Sequence, residues 1–157
     1  ALRYFPVAVE GRDPGQQRQA FDDFRQLVNR YPNSEYAPDA RQRMIAIRNR
    51  LAGGQLEAAQ YYIKREAYIA ALNRAKTVVE DFNRTPSGEE ALVIMAEMYA
   101  RLRLDEEKQD TTRVLAHNFP ENRTIADDGT FIRQSFGIQD RSLLNVITFG
   151  AMGHTGE

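Results

Sequence analysis

The pentapeptide Ala58-Ala59-Gln60-Tyr61-Tyr62 falls over Met95-Ala96-Glu97-Met98-Tyr99 when the chain is shifted against itself by 37 residues. The same shift sets Val78 over Leu115 and Phe82-Asn83-Arg84-Thr85 over Phe119-Pro120-Glu121-Asn122. Self-similarity at a fixed period of this size marks a supersecondary unit that stacks on its own copies. Between the matched stretches, Ile69, Leu72, Ala75, Val78, Val79 and Phe82 step by three and four, the period of one buried helix face. Each unit therefore reads as a helix, a turn and a second helix, with the small residues Ala59 and Ala96 letting neighbours approach and Tyr62 and Tyr99 filling the grooves.

Working back from the repeat, Phe21, Phe24, Leu27, Val28 and Tyr31 form another amphipathic stripe. Asp13 and Pro14 mark its start, because a proline at the first helical position loses no hydrogen bond, and Pro32 marks its end. The turn Tyr31-Pro32-Asn33-Ser34 resembles the two later turns but precedes Phe82 by 51 residues. The excess over 37 is close to four whole helical turns, so it lengthens a helix without rotating its buried face. That longer helix contains Gly53-Gly54, where two glycines at about 1 kcal/mol each kink the rod or break it, and one long kinked helix is the favoured reading.

The fold class predicted is all-α, with tetratricopeptide-like antiparallel helix pairs stacked as an α-α superhelix; the Trp and Gly-Tyr of that repeat's consensus are only partly kept. The expected helices span about 14–31, 36–66, 68–82, 88–102 and 105–119. Residues 1–122 form the repeat domain, and 123–157 an irregular tail, with Asp127-Asp128-Gly129-Thr130 as loop. A short apolar helix is expected near 140–150, where Leu143, Leu144, Val146, Ile147 and Phe149 should dock on the last repeat or on a partner.

Composition narrows the function. The 157 residues are 42% hydrophobic and 27% charged, which describes one core-forming domain, and the net charge of -1 supplies no global field for nucleic acid. Apolar runs are short, as where Glu97 interrupts Val93 to Ala96, far below the ~20 residues a membrane span needs. Without cysteine there are no disulfides, thiolate metal sites or catalytic thiols, and the redox compartment stays open. His117 and His154 share no metal-ligand spacing, and there is no nucleophile elbow and no phosphate loop. Carboxylate pairs such as Asp22-Asp23, Glu89-Glu90 and Asp105-Glu106-Glu107 read as solvated or as favouring the positive ends of helices. No catalytic constellation, metal or cofactor is expected, and a binding scaffold is preferred to an enzyme.

Charge is distributed unevenly: residues 1–76 carry 13 Lys+Arg against 8 Asp+Glu, and residues 77–157 carry 8 against 14. The stretch Arg41 to Arg50 holds four arginines and no acid. It reads either as a solvated helix face or as a docking surface for an acidic partner. Nucleic acid is disfavoured because no aromatic residue interleaves with those arginines.

Beyond these patterns, Arg12-Asp13-Pro14, Ala20-Phe21-Asp22-Asp23-Phe24, Leu27-Val28, Arg30-Tyr31-Pro32-Asn33-Ser34-Glu35-Tyr36 and Asp39-Ala40 resemble the BamD family of outer-membrane assembly lipoproteins. So do Arg50-Leu51-Ala52, Ala59-Gln60-Tyr61-Tyr62, Ala67-Tyr68, Ala71-Leu72-Asn73-Arg74 and Val79-Glu80-Asp81-Phe82. The likeness covers about 1–105, and at its widest reaches 120. Gly53-Gly54 and Glu66, which stands where that family usually has a turn glycine, depart from it, and the tail after Arg123 matches only loosely.

The resemblance implies a periplasm-facing, five-repeat lipoprotein of the outer membrane that supports β-barrel insertion by BamA. Its C-terminal repeats would bind a POTRA domain of BamA beside the other Bam lipoproteins. This chain would be the C-terminal half, lacking the lipid-bearing cysteine that anchors the whole protein to the membrane. It would also lack the N-terminal repeats that meet unfolded outer-membrane proteins. Arg74 matches the family arginine that pairs with a POTRA carboxylate. Lying about 200° around the helix from Leu72, it should point off the packed stripe, where a planar guanidinium suits bidentate capture of a carboxylate. Arg65, Arg41 and Arg48 complete the candidate partner-binding set. The alternative is another periplasmic tetratricopeptide adaptor with a different cell-envelope partner.

Overall fold

The structure is a computed structural model that describes residues 13–134 and residue 136. The described part is all-α. Five helices run in order, α1 (Pro14–Arg30), α2 (Ala37–Ile63), α3 (Tyr68–Asp81), α4 (Ser87–Leu102) and α5 (Asp105–Asn118), and each packs on the next, with α2 also touching α4. This is the packing of antiparallel helix pairs stacked into an α-α superhelix. The apolar cluster near 140–150 lies outside the described residues.

The 37-residue period is written into the backbone as well as the side chains. Helices α3 and α5 are both 14 residues long and begin 37 positions apart. Ahead of each, a non-glycine residue takes the left-handed conformation, Glu66 and Arg103, both at φ 59°. The next amide then reaches back five residues, Ala67 N to Tyr62 O at 3.0 Å and Leu104 N to Tyr99 O at 2.9 Å. That bond satisfies a carbonyl the helix end would orphan, which offsets a left-handed L-residue's cost of about 1–2 kcal/mol.

The turns between pairs recur three times. Tyr31, Phe82 and Phe119 each donate from the amide to the carbonyl four residues back, that of Leu27, Val78 and Leu115. Three residues on, the amides of Ser34, Thr85 and Asn122 bond the carbonyls of Tyr31, Phe82 and Phe119. Ser, Thr and Asn share this position because a short polar side chain can bond the local backbone, as Thr85 Oγ1 does to Phe82 O at 2.7 Å. After the first turn α2 begins and after the second α4.

The third turn leads elsewhere. Residues 124–132 fold back on themselves: Ile132 N donates to Thr124 O at 2.7 Å, and Ile125 and Phe131 form an isolated antiparallel bridge. Asp128 Oδ1 accepts from both the amide and the hydroxyl of Thr130, and Gly129 sits at φ 79°, so the segment reverses where a helix would have continued. Ile125, Phe131 and Phe136 pack on Leu92, Val93 and Leu115, capping the last pair.

Helix α2 is 27 residues long against 16 for α4, and it runs unbroken through Gly53 and Gly54. It stops at Ile63, with residues 64–66 forming a turn. The core lies where α2, α3 and α4 meet: Leu56, Ala59 and Ile63, then Ala71, Leu72, Ala75 and Val78, then Ala91, Ile94 and Met98. Each fully buried Leu, Ile or Val there contributes about 1.5–3 kcal/mol. Tyr99 is buried and Tyr62 packs at the edge of this cluster, as core tyrosines should. By contrast, among the described residues α1 packs on α2 alone, and Gln17 is its one buried residue.

Candidate partner-binding surface

Helices α2 and α3 are antiparallel, and two arginine hydrogen bonds show their register. Arg48, on α2, donates to the carbonyl of Asp81 at 3.1 Å, and Arg74, on α3, donates to Gln55 Oε1 at 3.2 Å. The residues of α2 involved are seven apart, as are those of α3. Two turns bring each helix back to nearly the same face, so both bonds lie on one seam. One more heptad along α2 stands Tyr62, whose ring is 6.0 Å from the Arg74 guanidinium.

From Tyr62 the row continues outward. Tyr61 meets Tyr62 edge to face at 5.6 Å, with the rings 81° apart, and the Arg65 guanidinium lies 3.8 Å from the centre of the Tyr61 ring. The edge-to-face pair and the cation over the ring are the arrangements the aromatic quadrupole favours. The spacing explains the second of them, since Tyr61 is in the last turn of α2 and Arg65 follows four residues on, in the turn after it. Arg65 and Arg74 are both exposed, and neither forms an ion pair with a carboxylate among the described residues.

The sequence-predicted set is thus partly gathered. Arg48, Arg74 and Arg65 follow the α2–α3 seam and the turn that closes it. Arg41 stands apart at the start of α2, where it donates to Pro32 O at 3.4 Å. Its neighbour Arg43 pairs with Asp39 at 2.7 Å, so the arginine run is partly neutralised within its own helix. Gln55 and Tyr61 belong to the row but were not singled out as site residues. The signal for Tyr61 was its place next to Tyr62 and one helical turn before Arg65.

A second polar feature lies in the second pair. Glu97 is fully buried, yet it holds three groups: Arg133, which donates to Oε1 at 3.0 Å; the Gln134 amide, which donates to Oε2 at 2.8 Å; and Arg101, whose Nε lies 2.8 Å from Oε1. The Arg101 contact is an ion pair by distance without hydrogen-bond alignment, and the same side chain donates to Gln134 O at 3.3 Å. A buried carboxylate needs such partners. Here they come from the segment after α5, so Glu97 ties the cap to α4. Solvation or capping does not describe this acid, and its lone charge inside an apolar run was the available signal.

Elsewhere the electrostatics are local. The Lys108 ammonium holds the Asp105 carboxyl below its usual range, the Thr130 hydroxyl and amide do the same for Asp128, and Glu35 raises the Tyr36 phenol. Among the described residues no group of three or more His, Cys, Asp or Glu could hold a metal ion, and no helix is long and apolar enough to cross a membrane. His117 is exposed in the last turn of α5, and His154 lies outside the described residues.

Comparison with known proteins agrees with this helical frame. The family model YfiO, described as an outer membrane lipoprotein, matches residues 3–115. The outer membrane protein assembly factor BamD of Neisseria gonorrhoeae is 44% identical over 111 residues, 71% of this chain and 42% of that protein. The BamD of Vibrio cholerae is 40% identical over 114 residues, 73% of this chain and 47% of that one. For the BamD of Caulobacter vibrioides the figures are 37% over 128 residues, 81% and 42%. The chain spans less than half the length of these curated relatives.

Proposed function

Because the chain belongs to the YfiO/BamD family of outer membrane lipoproteins, we propose that it is a non-enzymatic scaffold of outer-membrane β-barrel assembly whose α2–α3 pair binds a POTRA domain of BamA. It works at the periplasmic face of the outer membrane, beside the other lipoproteins of that complex. Residues 1–122 act as one repeat domain, with the tail from 123 appended. The observation that carries the reading is Arg74. Its guanidinium is exposed, held in place by Gln55 and set beside the Tyr62 ring, with no carboxylate of its own among the described residues. A planar cation steadied by neutral partners keeps its charge available for a carboxylate from outside. Arg48 and Arg65 extend the same cationic seam.

The test is a calorimetric affinity for purified POTRA domains with the wild-type chain and with Arg74→Glu, alongside thermal melts. The expected result is binding by wild type, a loss of about 2–5 kcal/mol in the variant, and melts that coincide. Unchanged affinity with an unchanged melt removes Arg74 from the interface. A collapsed melt assigns it to the fold instead.

A further inference from the structure

We infer that Tyr61 and Arg65, with the exposed Ile69 of the first turn of α3, form a second contact arm of this docking surface, so that its partner presents two carboxylates flanking an apolar group. The inference deepens the POTRA-binding reading and rests on it.

The first ground is exposure. Tyr61 is 51% exposed and Ile69, in the first turn of α3, is 64% exposed, so two large apolar side chains face solvent at the end of the pair where the α2–α3 turn lies. Such side chains at a basic edge are what an interface uses as anchors. The second ground is rigidity. Arg65 lies on Tyr61, Tyr61 abuts Tyr62, and Tyr62 stands beside Arg74, so two guanidiniums are joined through two rings rather than waving independently. Ordering them in advance lowers the entropy that binding must remove.

The third ground is the repeat itself. If the row were a by-product of how these pairs pack, the second pair would carry it too. Shifted by 37 residues, Gln55, Tyr61, Arg65 and Arg74 become Leu92, Met98, Leu102 and Thr111. Leu92, Met98 and Thr111 are buried. Repeat positions that serve the core in one pair therefore carry polar and aromatic groups at the surface of the other, and packing within the pair does not call for that difference.

Charge complementarity sets the partner. Arg65 and Arg74 are both without an ion pair among the described residues, Tyr61 lies in the row that joins them, and Ile69 adds exposed apolar surface in the first turn of α3. Two carboxylates about an apolar residue, on a folded protein surface, satisfy all four groups at once.

The experiment uses the full chain and purified BamA POTRA domains as the probe, and compares wild type with Tyr61→Ala, Tyr61→Phe, Arg65→Lys, Ile69→Ser and Arg74→Glu. Tyr61→Ala should weaken binding about tenfold or more, Arg65→Lys and Ile69→Ser about three- to tenfold, and Tyr61→Phe less than twofold, because the ring is kept. All the substituted side chains are exposed, so circular dichroism and melts should match wild type. If Arg74→Glu weakens binding while Tyr61→Ala, Arg65→Lys and Ile69→Ser stay within twofold of wild type, the second arm is overturned and the POTRA reading stands. If wild type does not bind the probe at all, the reading falls and this inference with it.

Discussion

The two ends of the helical stack are built from the same turn and covered very differently. Helix α1 buries only Gln17 among its 17 residues, whereas α4 buries nine of its 16, Glu97 included. Both follow the helical hydrophobic period, so periodicity alone does not say how much of a helix face becomes core. Coverage does. Helix α4 lies against α2, α3, α5 and the folded-back segment 124–134, while α1 lies against α2. Position 60 sharpens the contrast, because Gln60 is the repeat counterpart of Glu97. Where the site is exposed it holds a neutral amide, which donates to Glu90 at 2.8 Å; where it is sealed it holds a charge with three partners.

The contrast is broken or sharpened first at those two positions. Glu97→Ala leaves Arg133 and the Gln134 amide without their acceptor and Arg101 without its counter-charge, and the expected loss is about 3–5 kcal/mol in urea or thermal unfolding. Gln60→Ala should cost under about 1 kcal/mol in the same assay. Equal losses would mean that the cap gives Glu97 no special weight.

Next come paired truncations toward the two ends of the stack, in α5 and in α1. Leu115→Ala, at a fully buried position beneath the cap, should cost about 2–5 kcal/mol. Leu27→Ala, half-buried on α1, should cost about 1 kcal/mol, in proportion to the area it covers. Amide exchange adds a readout for each helix, since α1 should open at lower free energy than α4.

The long helix offers a gain rather than a loss. A Cβ added at Gly53 or Gly54 meets nothing within 4 Å, so each change to alanine should stabilise the chain by about 1 kcal/mol, seen as a higher midpoint in unfolding. A loss would show that α2 needs a bare backbone there.

The smallest effect is one of pH. Thr130 holds the Asp128 carboxyl below its ordinary value, so the folded state binds that proton less readily than the unfolded chain. Its contribution is present above the ordinary carboxylate range and fades as pH falls through the lowered value. The protection of the Gly129 and Thr130 amides from exchange, taken against the unfolded chain at each pH, should fall on acidification, and Asp128→Asn should flatten that dependence.

How much of this was legible in the sequence follows from the range of the interactions. The helix pairs are set by local periodicity and by turn residues, and Tyr31-Pro32-Asn33-Ser34 and its two relatives could be read directly. Glu66 was visible as an odd residue at a turn, but its left-handed backbone became clear only through the matching Arg103. Gly53-Gly54 left a kinked or a broken rod open, and α2 continues through it as one helix, held to α3 on either side of the pair. Arg74 was read correctly as lying off the packed stripe, but its bond to Gln55 and its place beside Tyr62 depend on the register of two helices, which no local pattern encodes. The same holds for Glu97, whose partners lie 36 and 37 residues away.

The bonds of Arg48 to Asp81 and Gln55 to Arg74 fall on either side of Gly53-Gly54. In mechanical terms α2 is a strut about 40 Å long with a compliant section near its middle, and α3 is lashed across that section like a splint. Its bending stiffness therefore resides in the seam between the two helices. A partner that drew the Arg74 guanidinium away from Gln55, as the proposed function requires, would loosen one lashing, and the same cation would then set how rigidly the α1 end is held against the capped end.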